Sequence, residues 1–259
     1  LLLLSRYDGD INQSKVELVS LQNFEVIHTW IPDINSILSN VKIKKGGKWE
    51  HLMRDRHEKR FRIMSPLLFS DGSIVFQHND SPLIKIDKNS KLVWLKTDHM
   101  YHHTQELDSE GNIWACSKNY PYSLKEQYVG EKFGNFNEDA MTKLSPEGKV
   151  LFHKSIPELL MENEMEYLLF SIGDHRFTKD PIHLNDIQPV NINSNYWEIG
   201  DVFLSLAHQS MILLYRPRTN EILWKSTGKF YHQHDIDVLD DHRISIFNNN
   251  RKFLFNKDI

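Results

Sequence analysis

The chain has 259 residues, with 35 acidic and 31 basic side chains, a formal charge of −4, and 40% apolar and 25% charged residues. That balance excludes a disordered tail and leaves no basic footprint for nucleic acid, because lysine and arginine are scattered rather than clustered. No apolar run approaches the roughly 20 residues of a membrane helix, and the lone Cys116 excludes an intrachain disulfide and a cysteine-based zinc site.

In chain order, apolar and polar residues alternate with a period of two, broken by turn dipeptides, which predicts strands. Residues 18–28 predict a hairpin. Residues 33–60 are polar, with two short helical stretches around a Gly46-Gly47 break. A strand is expected from Met64 to Phe69 before the turn Asp71-Gly72, and a hairpin over residues 84–94. His103 to Leu107 predicts a strand before Glu110-Gly111, followed by an aromatic- and glycine-containing loop over residues 119–139. Residues 142–152 form the next hairpin. Ile156, Leu159, Leu160 and Leu168 mark a helix within residues 156–170, packed outside a sheet. Then come a strand from His183 to Val190, a turn at Gly200-Asp201, a hairpin over residues 214–224, and a strand from His234 to Leu239 before Asp241-His242.

The four hairpins at 18–28, 84–94, 142–152 and 214–224 align with one another. With Glu25, Lys91, Lys149 and Glu221 as equivalents, their spacings are 66, 58 and 72 residues. A second hairpin precedes the later three and follows the last, so the repeat is four antiparallel strands, one blade of an all-β propeller. A β-sandwich also alternates short strands and turns, but repeated turn and aromatic positions at this spacing favour the propeller. Residues 1–259 read as a single β-propeller domain of about four to five blades, with no linker.

Fourteen histidines are present, and several recur at one place in the repeat. His102-His103, His183 and His232-Gln-His234 all open the first strand of a blade, which lines a propeller's central channel. Histidines far apart in sequence are therefore expected to converge. Three axial imidazoles suit general acid–base work or nucleophilic attack on an electrophilic centre. His28, His51, His57, His78, His99, His153, His175 and His242 read instead as hydrogen-bonding surface or turn residues. His232 and His234 share one strand face in the manner of a zinc pair, but no third ligand follows at a matching repeat position. The channel strands read as poor in aspartate, against calcium. No metal and no cofactor is expected.

Several ordered motifs carry a resemblance. Tyr101-His-His-Thr104, His183-Leu-Asn-Asp186, Gly200-Asp-Val-Phe-Leu-Ser-Leu-Ala-His-Gln-Ser210 and His232-Gln-His-Asp235, with Asn220-Glu-Ile-Leu-Trp-Lys-Ser-Thr-Gly228 before the last, occur in the order seen in arylsulfotransferases that use no nucleotide sulfate donor. The resemblance covers roughly residues 61–250. It implies a six-bladed propeller with a central site, and ping-pong transfer of a sulfuryl group from a phenolic sulfate ester to a phenol acceptor. Carried over by position, His234 is the sulfurylated nucleophile. His183 holds or protonates the ester oxygens. His102 and His103 supply the double-histidine motif, and counting back from Gly111 favours His103 as the inward one. Asn185 is expected on the strand face of His183, orienting it. Family members generally act outside the cytoplasm, so a periplasmic or otherwise extracytoplasmic placement is implied.

One position departs from the family. Where it has an arginine before the equivalent of His208-Gln209-Ser210, this chain has Ala207. A guanidinium there would hydrogen-bond the sulfuryl oxygens. His208 is expected to face the opposite side of the strand, and Arg216 and Arg218 lie on a strand and turn away from the channel. Two alternatives stay open: a catalytically impaired propeller that binds a ligand or protein at its channel mouth, and a metal-dependent hydrolase. Tyr101, Tyr120, Phe133, Phe230 and Tyr231 are candidate aromatic walls for a phenol. At 58 to 72 residues per blade, six-bladed closure needs residues beyond both ends of this sequence.

Overall fold

Strands buried on both faces read as continuous apolar runs, while strands with one wet face alternate. Both kinds occur here in a fixed order. The computed structural model describes residues 1–124, 136–170 and 179–251, so Phe133 and His175 lie outside the described residues. Strands β1 (Leu2–Asp8), β2 (Gln13–Val19) and β3 (Val26–Trp30) form an antiparallel sheet. A second sheet runs β4 (Met64–Leu68), β5 (Ile74–Gln77), β6 (Ser81–Ile86) and the start of β7 (Leu92–Leu107). A third continues from β7 into β8 (Ile113–Lys118), β9 (Asp139–Leu144) and β10 (Val150–Ser155). The fourth is β11 (Leu184–Pro189), β12 (Val202–Leu206), β13 (Met211–Arg216) and β14 (Glu221–Thr227). Strands β15 (Gln233–Val238) and β16 (Ile244–Asn248) pair as the last.

Separate strands were expected at 84–94 and from His103, but β7 serves both. Leu92 and Lys96 pair with β6, while Met100 and Leu107 pair with β8, so one sheet's outer strand runs on as the next sheet's inner strand. The inner strands β4, β7, β11 and β15 pack in sequence beside one another. These sheets are blades of a β-propeller.

The core lies between blades. Val75, Leu83, Ile113 and Leu144 fill the space between the second and third. Cys116, Met141, Ile187, Leu204 and Leu213 fill that between the third and fourth. Strands β5, β8 and β12 are buried along their whole length, which is why their sequences lose the period-two pattern.

Residues 33–60 hold two helical turns, α1 (Ile34–Ile37) and α2 (Leu52–Asp55), packed on the first two blades. The helix expected within residues 156–170 is two helices, α3 (Ile156–Glu162) and α4 (Tyr167–Phe170). Glu164 takes φ +58 between them, a left-handed conformation that ends α3. Ser155 caps α3 by accepting from the Glu158 amide at 3.3 Å. Among the described residues no helix is long and apolar enough to cross a membrane.

Outer strands are tied to the next blade by tryptophan. Trp94 Nε1 donates to the Pro146 carbonyl at 3.0 Å, and Gly148 in the same turn takes φ +82. A Cβ on Gly148 would sit 3.2 Å from the Trp94 ring. Gly148→Ala is therefore expected to lower stability by about 1–2 kcal/mol, from strain and a displaced indole together. The midpoint of urea unfolding would measure this, and an unchanged midpoint would contradict the packing described.

Candidate active site

Each inner strand opens on a residue in the left-handed region: Ser65 (φ 42), His103 (φ 56), His183 (φ 54) and His232 (φ 50). At each, the register against the second strand slips, between Met64 and Leu67, Tyr101 and Gln105, Leu184 and Asp186, and Gln233 and Ile236. A left-handed residue other than glycine costs on the order of 1 kcal/mol and persists only where its surroundings over-determine it. A bulge re-aims the side chains around it. Three of the four positions are histidine. Counting onward, Gln105, Asn185 and His234 share one repeat position, and Glu106, Asp186 and Asp235 share the next.

The bulges bring the imidazoles of three blades together. The ring of His103 lies 4.9 Å from that of His183 and 5.9 Å from that of His234. His183 in turn stacks on His208 at 4.4 Å. His234 makes its hydrogen-bond contacts at Nδ1, 3.3 Å from the His232 carbonyl and 3.0 Å from the Asn249 amide. Its other nitrogen, Nε2, has no such contact among the described residues.

Hydrogen bonds assign the tautomers. Burial holds the pKa of His102 well below the ordinary histidine value, helped by the charges of Lys118 and His103. His102 is thus neutral, and its Nε2–H donates to the Ser117 carbonyl at 3.2 Å. Its bare Nδ1 accepts from His103 Nδ1–H at 2.6 Å. Burial, followed by the charges of His183, Lys118 and His234, brings His103 down to about 3, so His103 keeps a lone pair on Nε2.

His183 behaves oppositely. Burial works against its charged form, but the Nδ1–H bond to Asp180 Oδ2 at 2.7 Å and the charges of Asp180 and Asp139 raise its pKa above the usual value. One neutral and one proton-rich imidazole therefore stand side by side.

The count back from Gly111 favours His103 as the inward histidine of the pair. His103 faces His183 and His234, while His102 is 1% exposed behind it, with Nε2 3.5 Å from Asp139 Oδ1. Ala207 is wholly buried and its amide donates to the His183 carbonyl at 3.1 Å. His208 does not face away as strand alternation implied. Ala207–Gln209 is a turn of 3₁₀-helix, so alternation stops at Leu206, and His208 Nδ1 donates to the Asp180 carbonyl at 2.6 Å. Asn185 does not bond His183 either, because the bulge between Leu184 and Asp186 breaks the two-residue face rule. Its Nδ2 donates instead to the Gln233 carbonyl at 2.8 Å, fixing the strand that carries His234. Arg216 is held by Asp201 at 2.7 Å and Arg218 by Glu198 at 2.7 Å, away from the imidazoles.

The channel strands are not poor in acid. Glu106, Asp186 and Asp235 bring carboxylate oxygens within 4.8 Å of one another, as do the ligand atoms of Asp180, His183 and His208. Burial pushes Asp186 up to about 7. Burial and then the charges of Asp186, Asp235 and Asp237 push Glu106 to about 8.

Three further residues at the cluster escaped the sequence reading. Asp180 precedes the repeat it serves, Asp139 belongs to a third strand of its blade, and Lys118 ends a second strand. None of the three lies on a first strand, the place in the repeat that the histidine motifs share. Of the candidate aromatic walls, Tyr101 and Phe230 are core residues, the former with its hydroxyl on Asp98 at 2.9 Å. Tyr120 lines a cavity of about 470 Å³ with Met100, Lys118, Tyr122 and Phe136.

Comparison with known proteins places this geometry. Among solved structures, a protein of unknown function from Bacteroides caccae is 12% identical with a TM-score of 0.48, covering 94% of this chain and 64% of its own. Streptogramin B lyase is 13% identical with a TM-score of 0.42, covering 73% and 49%. A catalytically inactive virginiamycin B lyase from Staphylococcus aureus with quinupristin is 11% identical with a TM-score of 0.41, covering 96% and 86%. Likenesses this distant carry nothing about activity. The chain spans less than two thirds of the length of the first. No curated protein matches the sequence. Residues 65–258 match the family model described as Arylsulfotransferase (ASST), three quarters of the sequence and every histidine of the cluster, and the chain belongs to that family.

Proposed function

We propose that this chain transfers a sulfuryl group from a phenolic sulfate ester to a phenol, through an intermediate on His234 Nε2. The observation that carries this reading is the meeting of His103, His183 and His234 rings from three blades at 4.9 and 5.9 Å. His234 Nε2 attacks sulfur, the N–S bond forms and the S–O(aryl) bond breaks. The phenolate takes its proton from His183 Nε2, whose Nδ1–H stays on Asp180. In the second half the acceptor phenol returns a proton to His183 as its oxygen takes sulfur and the N–S bond breaks. The ring of the ester is assigned to the cavity walled by Tyr120, Tyr122 and Phe136, which Lys118 also lines. Residues 1–259 then belong to one domain of a six-bladed ring, acting outside the cytoplasm.

Mass analysis after exposure to a chromogenic aryl sulfate tests the reading. A sulfuryl adduct on His234, discharged by added phenol, is expected. If neither adduct nor transfer is found, the reading fails.

Asp180→Asn is expected to lower transfer about 100-fold near neutral pH, typical of a lost acid–base partner. The sign follows from the raised His183 pKa. Without the carboxylate that pKa falls, the acid form is lost at lower pH, and the alkaline limb of the rate profile moves toward acid. An unmoved limb would remove Asp180 from this role.

A second reading rests on Ala207, which brings no cation to the sulfuryl group. In it the site binds aryl sulfates reversibly without turnover, as a ligand- or protein-binding module.

A further inference from the structure

We propose that Lys118 supplies the cation that Ala207 does not, holding the sulfonate oxygens of the ester at the histidine cluster. This inference rests on the aryl-sulfate reading of the site and names how that site recognises its anion.

Lys118 closes β8, the second strand of the blade that carries His103. Its backbone pairs with Met100 on one side and Asp139 on the other, which places it beside the His102–Asp139 contact. The side chain is 10% exposed, so its charge is largely shielded from water. Asp80 Oδ1 accepts from its ammonium at 2.8 Å. An ammonium has three donors, and one carboxylate oxygen takes one of them. The same side chain lines the cavity that holds Tyr120, Tyr122 and Phe136, where an aromatic ring would rest. Lys118 therefore lines the aromatic-walled cavity with its side chain and pairs through its backbone with Asp139, the residue that His102 Nε2 approaches.

Its charge is felt across the cluster. It lowers the pKa of His102 and His103 and acts on Asp139, Asp180 and His183. Burial opposes the charged ammonium, but Asp80, Asp139 and Asp180 outweigh it and raise the pKa, so Lys118 stays cationic. A site that transfers an anionic group without a cation would lack the donor that preorganised sites aim at developing charge. Lysine serves as a point charge where arginine serves as a fork, so one contact replaces two.

The test compares Lys118→Met, Lys118→Arg and Asp80→Asn in the full chain, with a chromogenic aryl sulfate and a phenol acceptor. Turnover and equilibrium binding of the ester by calorimetry are both read. Lys118→Met is expected to lose about 100-fold or more in kcat/KM. Lys118→Arg is expected to keep most of it, and Asp80→Asn to stay within about tenfold. Equal losses in Lys118→Met and Asp80→Asn would mean that the ion pair matters only for structure, and would overturn the proposal. Full transfer by Lys118→Met would overturn it while leaving the transferase reading intact. If the unmodified protein binds the ester without turnover, the transferase reading fails, but loss of that binding in Lys118→Met upholds the anion contact. If the unmodified protein neither binds nor turns over the ester, both are overturned.

Discussion

Replacing His234 with alanine is expected to abolish the sulfuryl adduct and to lower transfer by on the order of 10⁴-fold or more, the scale on which removing a covalent nucleophile acts. No neighbour can take its place. His102 is buried with both nitrogens engaged, Nε2 on Ser117 and Nδ1 on His103. His183 has Nδ1 on Asp180, and its proton-rich state removes the lone pair that attack on sulfur needs. His103 keeps a lone pair, but the Nδ1 contact to His102 at 2.6 Å fixes its ring. His232→Ala is the matching control. The His232 group that His234 Nδ1 meets is the backbone carbonyl, which alanine keeps, so removal of the side chain is expected to cost less than about tenfold if position rather than histidine content matters. The checks are adduct mass and transfer rate, measured together. A His234→Ala variant that still forms an adduct would move the nucleophile elsewhere.

The largest stability effect is expected at Asp186. Its Oδ1 accepts from Thr104 Oγ1 at 2.7 Å and its Oδ2 from the Ile236 amide at 2.8 Å, so one carboxyl ties the inner strands of three blades. Asp186→Ala leaves a buried amide and hydroxyl unpaired. It should cost ~3 kcal/mol and lower Tm by on the order of 10 °C in a domain of this size. Asp186→Asn should cost far less, because an amide can accept from Ile236 and donate to Thr104.

The same residue predicts a pH dependence. Burial holds the folded Asp186 pKa at about 7, whereas an unfolded aspartate ionises near about 3.9. Between those values the folded state binds more protons than the unfolded one, so stability falls as pH rises through this window and levels above it. Asp139, pushed up to about 7 by burial, and Glu106, at about 8, add slopes of the same sign. Thermal unfolding from pH 4 to 8 measures the slope, and Asp186→Asn should flatten it. The buried neutral imidazoles of His102 and His103 add a slope of the opposite sign below the free histidine value, so the difference between the unmodified protein and Asp186→Asn reads Asp186 alone, and a difference that does not change with pH would contradict the buried, protonated carboxyl.

Much of the blade pattern was legible because repeats make a weak local signal add up. No single hairpin identifies a propeller, but four aligned hairpins with rings at one position do. The breaks in legibility are local. β7 spans two blades without a turn, and no residue between Leu95 and Tyr101 announces that. The helix at residues 156–170 breaks at Glu164, a residue with no reputation for left-handed backbone. Tyr101 and Phe230 are apolar rings near the motifs, and nothing in sequence separates a wall from a core.

The sequence by itself determined the strand order, the repeat and the three histidine motifs, because these are carried by spacing along the chain. It also places an alanine at position 207, where the resemblance implies an arginine. Only the tertiary structure decided which of His102 and His103 faces the others, that His208 turns inward, and that Asn185 holds the neighbouring strand. It also brought Lys118, Asp139 and Asp180 to the cluster from other strands and turns. The physical reason is the bulge at the start of each inner strand. One residue in the left-handed region shifts the register and cancels the two-residue alternation from which a sequence infers faces. The convergence itself depends on blades packing face to face, a long-range arrangement of buried apolar strands that no local window contains.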